Sequence, residues 1–340
     1  FTSATDTYNT AVGFNAGNDI TTGINNTLIG SLAGDSLTDA DLNVAVGKGA
    51  LTTDTLGSNS TALGFAALEA QNFTSATNTY NTAVGSSAGA SITTGVQNTL
   101  IGSLAGDAQT TAGENTSLGY ATLSTNILGN KNTAIGWASL FYQNPDSAGD
   151  MFNTAVGHSA GLNVTTGTQN TLIGGLAGDA LTAAFENVAI GYEAQTTDTL
   201  GRRTVAVGNG ALQSQNFTSA TNTYNVAVGY DAGTLVTTGT ENTLIGGIAG
   251  DALTDADGNT AVGYSSLTSD TLGSKSTAIG RSALATQNFT SATDSNNTAV
   301  GYQAGVAVTT GTHDTLIGAL AGASNTTGGD NVALGSVSLS

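Results

Sequence analysis

Asn9-Thr-Ala-Val-Gly13, Asn26-Thr-Leu-Ile-Gly30, Asn43-Val-Ala-Val-Gly47, Ser60-Thr-Ala-Leu-Gly64 and Asn81-Thr-Ala-Val-Gly85 open successive segments of the chain, and their spacing decides the fold. The glycines step by 17, 17, 17 and 21 residues, and the same four steps recur as far as Gly335. There are thus 19 units grouped in a 72-residue super-repeat. Self-similarity at a fixed period marks a solenoid or array, in which each unit buries its apolar residues against its neighbours. The expected fold is all-β, a parallel β-solenoid (β-roll) of 19 coils in a 17-17-17-21 pattern, continuous over residues 1–340. The longer fourth unit carries the insert Phe73-Thr-Ser-Ala-Thr77, repeated from Phe217 and Phe289. The chain opens inside such an insert, at Phe1, and closes just after a coil opening, a phasing that suggests an excerpt of a longer fibre protein.

Each unit is numbered from its Asn as position 1. Branched residues recur at positions 2 and 4, which favours a strand. Period-2 alternation places those two on one face and position 3, usually Ala, on the other. Val12, Ile29, Val46, Leu63, Val84 and Ile101, all at position 4, are the expected core. The glycines Gly13, Gly30, Gly47, Gly64 and Gly85 at position 5 suit a turn with positive φ, where a Cβ would clash. The small residue three positions later (Ala16, Ala33, Ala50, Ala67) suggests a tight corner packed on the next coil. Asn9, Asn26, Asn43, Asn81, Asn98 and Asn115 are expected to form hydrogen-bonded ladders along the stack. Helix is disfavoured by the recurrent Gly and Thr and by the lack of a 3.6-residue apolar stripe.

The second half of a unit has two registers. The first two units of a super-repeat have Gly at position 9 and an aliphatic residue at position 12 (Ile20, Leu37, Ile92, Val164). The last two usually have Leu at position 9 and often Leu or Phe at position 14 (Leu51 with Leu56, Leu68 with Phe73). A second short strand giving one apolar residue per coil is expected, with a thin core. Strands stacked at about 4.8 Å would make a rod of roughly 90 Å from 19 coils.

Composition removes several function classes. The net charge is −18 with six Lys plus Arg, so the basic footprint of a nucleic-acid partner or an anionic membrane is missing. No 18-residue apolar run offers a membrane span. The 47 glycines lack a three-residue period, which excludes collagen, and 39% apolar residues argue against disorder. Cysteine is absent, so disulfides and thiolate chemistry are too. His158 and His313 have no neighbouring cluster in the sequence, and no catalytic, cofactor or metal site is expected. Asp35, Asp107, Asp179 and Asp251, and Asp54, Asp198 and Asp270, are expected to cap turn amides. Residues 72 apart lie four coils apart, roughly 19 Å, too far to share an ion. In the insert, Phe73 and its equivalents are expected to plug the core. Tyr8, Tyr80 and Tyr224, which close it, are the candidate surface-recognition residues, with aromatic rings suited to glycan contact. Asn144-Pro-Asp-Ser-Ala-Gly-Asp-Met-Phe152 departs from the other inserts.

Both faces of the first strand are apolar enough to be buried, yet one coil has a single interior. Either chains associate along the stripe, most simply as a homotrimer, or the chain forms a wider solenoid covered by small residues. The pattern Asn-Thr-Ala-Val-Gly-x-x-Ala-Gly, with Asn331-Val-Ala-Leu-Gly335 near the end, resembles phage tail-fibre repeats. It is also similar to the head repeats of trimeric autotransporter adhesins, whose units are shorter. The resemblance covers essentially the whole chain. It implies a trimeric left-handed parallel β-roll projecting from a virion or cell surface, extracellular, and free of membrane insertion. The function expected is a structural shaft that spaces a receptor-binding tip, and not an enzyme. The alternative is a surface adhesin whose repeats themselves bind a cell-surface glycan or receptor. Ice binding is disfavoured because position 2 is Val in five units and shares its face with the aliphatic position 4.

Overall fold

The computed structural model describes residues 6–340; the insert start at Phe1 lies outside them. The chain divides into two compact units, Phe1–Gln169 and Asn170–Ser340. Both are built the same way, and the fold is an all-β parallel solenoid of about 19 turns. Three-residue strands such as Thr27–Ile29, Thr82–Val84 and Val205–Val207 stack in parallel. In the first unit Thr10 pairs with Thr27, Thr27 with Val44, Val44 with Thr61 and Thr61 with Thr82, the 17-17-17-21 steps of the sequence. The second unit repeats them, for example Val205 with Val226 across the longer step.

The strands are short because position 5 ends each one. Gly102 has φ +136°, and a Cβ there would lie 2.1 Å from the Gly119 carbonyl oxygen of the next coil. The same backbone approach recurs at Gly13, Gly30, Gly47, Gly64 and Gly85, all with positive φ.

The parity of the strand is set by position 1. Asn26, Asn43, Asn98 and Asn115 point inward and are essentially inaccessible. Each Oδ1 accepts the backbone N–H of the residue that opens the next coil: Asn43 donates to Asn26 at 2.9 Å and Ser60 to Asn43 at 2.8 Å. Each Nδ2 donates to a turn carbonyl 14 residues on, Ala40 for Asn26 and Ala112 for Asn98. The ladder therefore runs mainly between side chain and backbone. Side chain to side chain contacts, such as Asn132 to Asn115 at 3.0 Å, are secondary.

With position 1 inside, alternation puts position 3 inside and positions 2 and 4 outside. This corrects the expected core. Val12 is 58% exposed and Leu63 44%, Ile29 and Ile101 are exposed, and Val46 and Val84 are half-buried. The inward wall is instead Ala45, Ala62 and Ala83, with Leu28, Leu100, Leu172, Leu244 and Leu316 once per super-repeat, all fully buried.

The two registers of the second half complement this wall. Where position 3 is Leu, position 9 is Gly: a Cβ at Gly34 would lie 2.9 Å from Leu28 Cδ2 and 2.8 Å from Leu37 Cδ1. Where position 9 is Leu, as at Leu51, Leu68, Leu123 and Leu140, all fully buried, position 3 is small: Ala45, Ala62, Ser117 and Ala134. Phe73, Phe217 and Phe289 fill the core at the inserts as expected; Leu56 and Leu272 are only half-buried.

The expected second strand is not continuous. Two-residue ladders form only at the inserts, such as Gly57–Ser58 with Thr77–Asn78 and Gly273–Ser274 with Thr293–Asp294. Elsewhere left-handed residues at positions 7 and 9, for example Leu32 (φ 61°) and Leu51 (φ 54°), break any extended run. Their amides still reach the adjacent coil: Leu32 donates to the Phe14 carbonyl at 2.8 Å and Leu51 to the Ala67 carbonyl at 3.0 Å. Non-Gly residues with φ > 0 are uncommon; here the coil above and the coil below hold them.

Gly102→Ala should lower stability by on the order of 2–4 kcal/mol, since it adds both an unfavourable φ and a backbone clash. Gly49→Ala, where the nearest atom is Thr52 Oγ1 at 3.4 Å, should cost about 1 kcal/mol. Denaturant midpoints of the two variants check the ranking.

Candidate interaction surface

The outer face of the strand carries Thr or Val at position 2 and an aliphatic residue at position 4 in each coil, none of them fully buried. Two further columns flank it. The last position of a coil, just before the next Asn, holds Tyr8, Tyr80 and Tyr224 at the end of the longer coils, in left-handed backbone (φ 50°, 52° and 51°) with exposed rings. The structure thus places the three predicted residues on the surface, several coils apart. Each has its own surroundings: Tyr8 donates to Asp6 at 3.0 Å, while Arg203 Nη1 donates to the Tyr224 hydroxyl at 3.0 Å. Ion pairs join adjacent coils along this edge, Lys131 with Asp150 at 2.6 Å and Arg203 with Glu186 at 2.7 Å. Exposed pairs of this kind contribute little.

Position 6, immediately after the glycine, forms the second column, and reading the inserts for aromatic residues misses it. It exposes Phe14, Phe65, Tyr120, Trp137, Tyr264 and Tyr302. Tyr120 and Trp137 are nearly parallel at 6.4 Å, and Trp137 stacks on His158 at 4.8 Å. Arg281 lies between Tyr264 and Tyr302, 6.0 Å and 5.9 Å from their ring centres. The signal was available: lining up one position across all coils shows the enrichment, whereas scanning for motifs does not.

Of the turn aspartates, Asp54, Asp198 and Asp270 cap turn amides as expected, at Gly57, Gly201 and Gly273. Asp54 is fully buried; its Oδ1 accepts the N–H groups of Gly57 and Phe73, both at 3.1 Å, and its Oδ2 accepts Gln71 Nε2 at 2.6 Å. Gln71 also donates to Ser60 Oγ at 2.8 Å and accepts Asn81 Nδ2 at 2.9 Å, so the network replaces the Asn ladder where Ser60 interrupts it. Asp198 with Gln215 and Thr204, and Asp270 with Gln287 and Ser276, repeat it. Asp107, Asp179 and Asp251 differ from the expected amide caps: they accept hydroxyl hydrogen bonds from Ser124, Thr196 and Thr268 of the next coil. Desolvation raises the pKa of each above the ordinary 3.8, only partly offset by the hydroxyl hydrogen bond. Among the described residues no three His, Asp or Glu side chains converge to hold a metal ion, and no helix is long and apolar enough to cross a membrane.

No protein-family model matches the chain and no curated sequence is detectably similar to it.

Because Asp107, Asp179 and Asp251 bind protons more readily folded than unfolded, their effect on stability has a definite sign. Stability is greatest with them protonated and falls as pH rises from about 3.8 through their raised pKa values. The triple variant Asp107→Asn, Asp179→Asn, Asp251→Asn keeps an acceptor for each hydroxyl. It should melt higher than the parent at pH 7, and its melting temperature should depend less on pH as the pH is lowered from 7 towards 3.8.

Proposed function

We propose that the chain is structural, part of a fibre shaft on a virion or cell surface. In this reading the chains associate with one another along the outer strand face, most simply as a left-handed homotrimer. The observation that carries this is the aliphatic column at position 4 within each compact unit. Val, Ile or Leu stands there in every coil of both units and none is fully buried. Contiguous exposed apolar surface of that extent marks an interface. The outward direction is imposed by the Asn ladder, so the stripe is a fixed consequence of the fold. The resemblance to phage tail-fibre repeats and to trimeric autotransporter heads supports the same reading. A second reading, adhesion through the repeat surface itself, is favoured by the exposed aromatic column at position 6.

Sedimentation of the soluble chain should give close to three times its 33.4 kDa mass. Ile101→Asp with Ile135→Asp, which changes only the outer face, should dissociate the assembly while leaving its circular dichroism unchanged. A monomeric parent would overturn self-association. A glycan array separates shaft from adhesin, since a shaft should bind none.

A further inference from the structure

The 72-residue super-repeat supplies its own internal comparison, and one copy departs from it. The chain's only tryptophan, proline and methionine, Trp137, Pro145 and Met151, fall close together in the copy spanning 81–152. Phe141 and Tyr142 stand there where the next copy has Gln213 and Ser214, and Trp137 where it has Asn209. These departures converge in space. Tyr120, Trp137, Phe141 and Tyr142, with Ala121, Ala138 and Leu162, line one open cavity of about 190 Å³ within the first unit. Phe141 and Tyr142 meet edge to face at 4.7 Å and 77°, while Tyr120 and Trp137 present nearly parallel rings. Tyr120, Trp137 and Tyr142 are exposed and Phe141 is only half-buried, so the core does not require these aromatics.

The surface of the cavity is almost entirely carbon. A sugar would leave hydroxyls without partners there, and unpaired polar groups are costly to desolvate. A quaternary ammonium group has the opposite character: it carries charge but has no hydrogen to donate and no acceptor to satisfy. Aromatic faces attract such a cation through the ring quadrupole, most strongly those of Trp and Tyr. The net charge of −18 raises the local concentration of cations around the chain. The same column meets a cation elsewhere in the molecule, where Arg281 lies between Tyr264 and Tyr302. Among the described residues no Lys or Arg covers the rings of the cavity; His158 stacks on Trp137 at 4.8 Å, so a cation from outside would meet Tyr120, Phe141, Tyr142 and the part of Trp137 that His158 leaves open.

We propose that the Tyr120–Trp137–Phe141–Tyr142 cavity is a binding site for a quaternary ammonium group of the choline type. The site is built within one chain and does not rest on the fibre reading.

Trp137 is the sole tryptophan, so its fluorescence reports on the cavity directly. Titration of the full chain with choline chloride, against sodium chloride at equal ionic strength, should give a saturable change. The neutral isostere 3,3-dimethylbutan-1-ol should bind at least about tenfold more weakly. Phe141→Gln with Tyr142→Ser, residues this fold already accommodates one super-repeat later, should abolish saturation with the melting temperature preserved. Trp137→Asn, read by the choline methyl proton line width, gives a second test. A parallel titration with phosphatidylcholine vesicles identifies the source. Response to both probes assigns a headgroup that includes lipid, and response to choline alone assigns a soluble or glycan-borne one. No saturable response to choline, equal binding of the isostere, preference for glucose or galactose, or response to vesicles only would overturn the proposal.

Discussion

The asparagine at the head of each coil holds its side chain inside the solenoid, with Oδ1 on the amide that opens the next coil and Nδ2 on a turn carbonyl. Leaving one such buried group unpaired costs about 1–3 kcal/mol, so the inward orientation is strongly enforced and repeats coil after coil. Where Asn is replaced, as at Ser60, Thr204 and Ser276, the lost amide is supplied from elsewhere. A buried Gln reaches in, tied to a buried Asp and to the hydroxyl itself. The replacement coincides with the longer coil, where the insert moves the next Asn away. The two polar devices are alternatives for the same task of closing one coil onto the next.

The rest of the interior follows from that orientation. An inward Asn forces an inward position 3, and the space beside it is so narrow that Ala is the usual occupant. Leucine enters from one wall only where the opposite wall has glycine, as with Leu28 against Gly34. Left-handed residues then bring the chain round, keeping their amides bonded to neighbouring coils. The core is thin and its contacts lie mostly between successive coils, which suits a quasi-one-dimensional body.

The same orientation places the branched residues of the strand outside. A sheet whose β-branched side chains face outward, bordered by exposed rings, is a surface for association. The aliphatic column suits other copies of the chain, and the aromatic cluster around Trp137 suits a ligand. Their difference in regularity matters: the aliphatic column is uniform, as a shaft requires, while the cluster occurs in one super-repeat and breaks the pattern.

Period, coil count, parallel stacking, the positive φ of Gly13 and its equivalents, the Asn ladder and the Phe plugs were legible in the sequence. Each depends on spacing or on a local property of one residue type that repetition makes unmistakable. Which face of the strand lies inside was not legible, because Val12 and Ala11 alternate identically whichever way the strand is turned. Only the coil-to-coil hydrogen bonds of the Asn side chains decide it, and they turn the smaller residue inward. The cavity at Trp137 was equally hidden, since Tyr120 and Leu162 lie 42 residues apart in the chain. The sequence by itself determined a stacked parallel β-solenoid and its registers. Tertiary structure decided which apolar residues became core and which became surface, because burial depends on what a side chain faces once the next coil is in place.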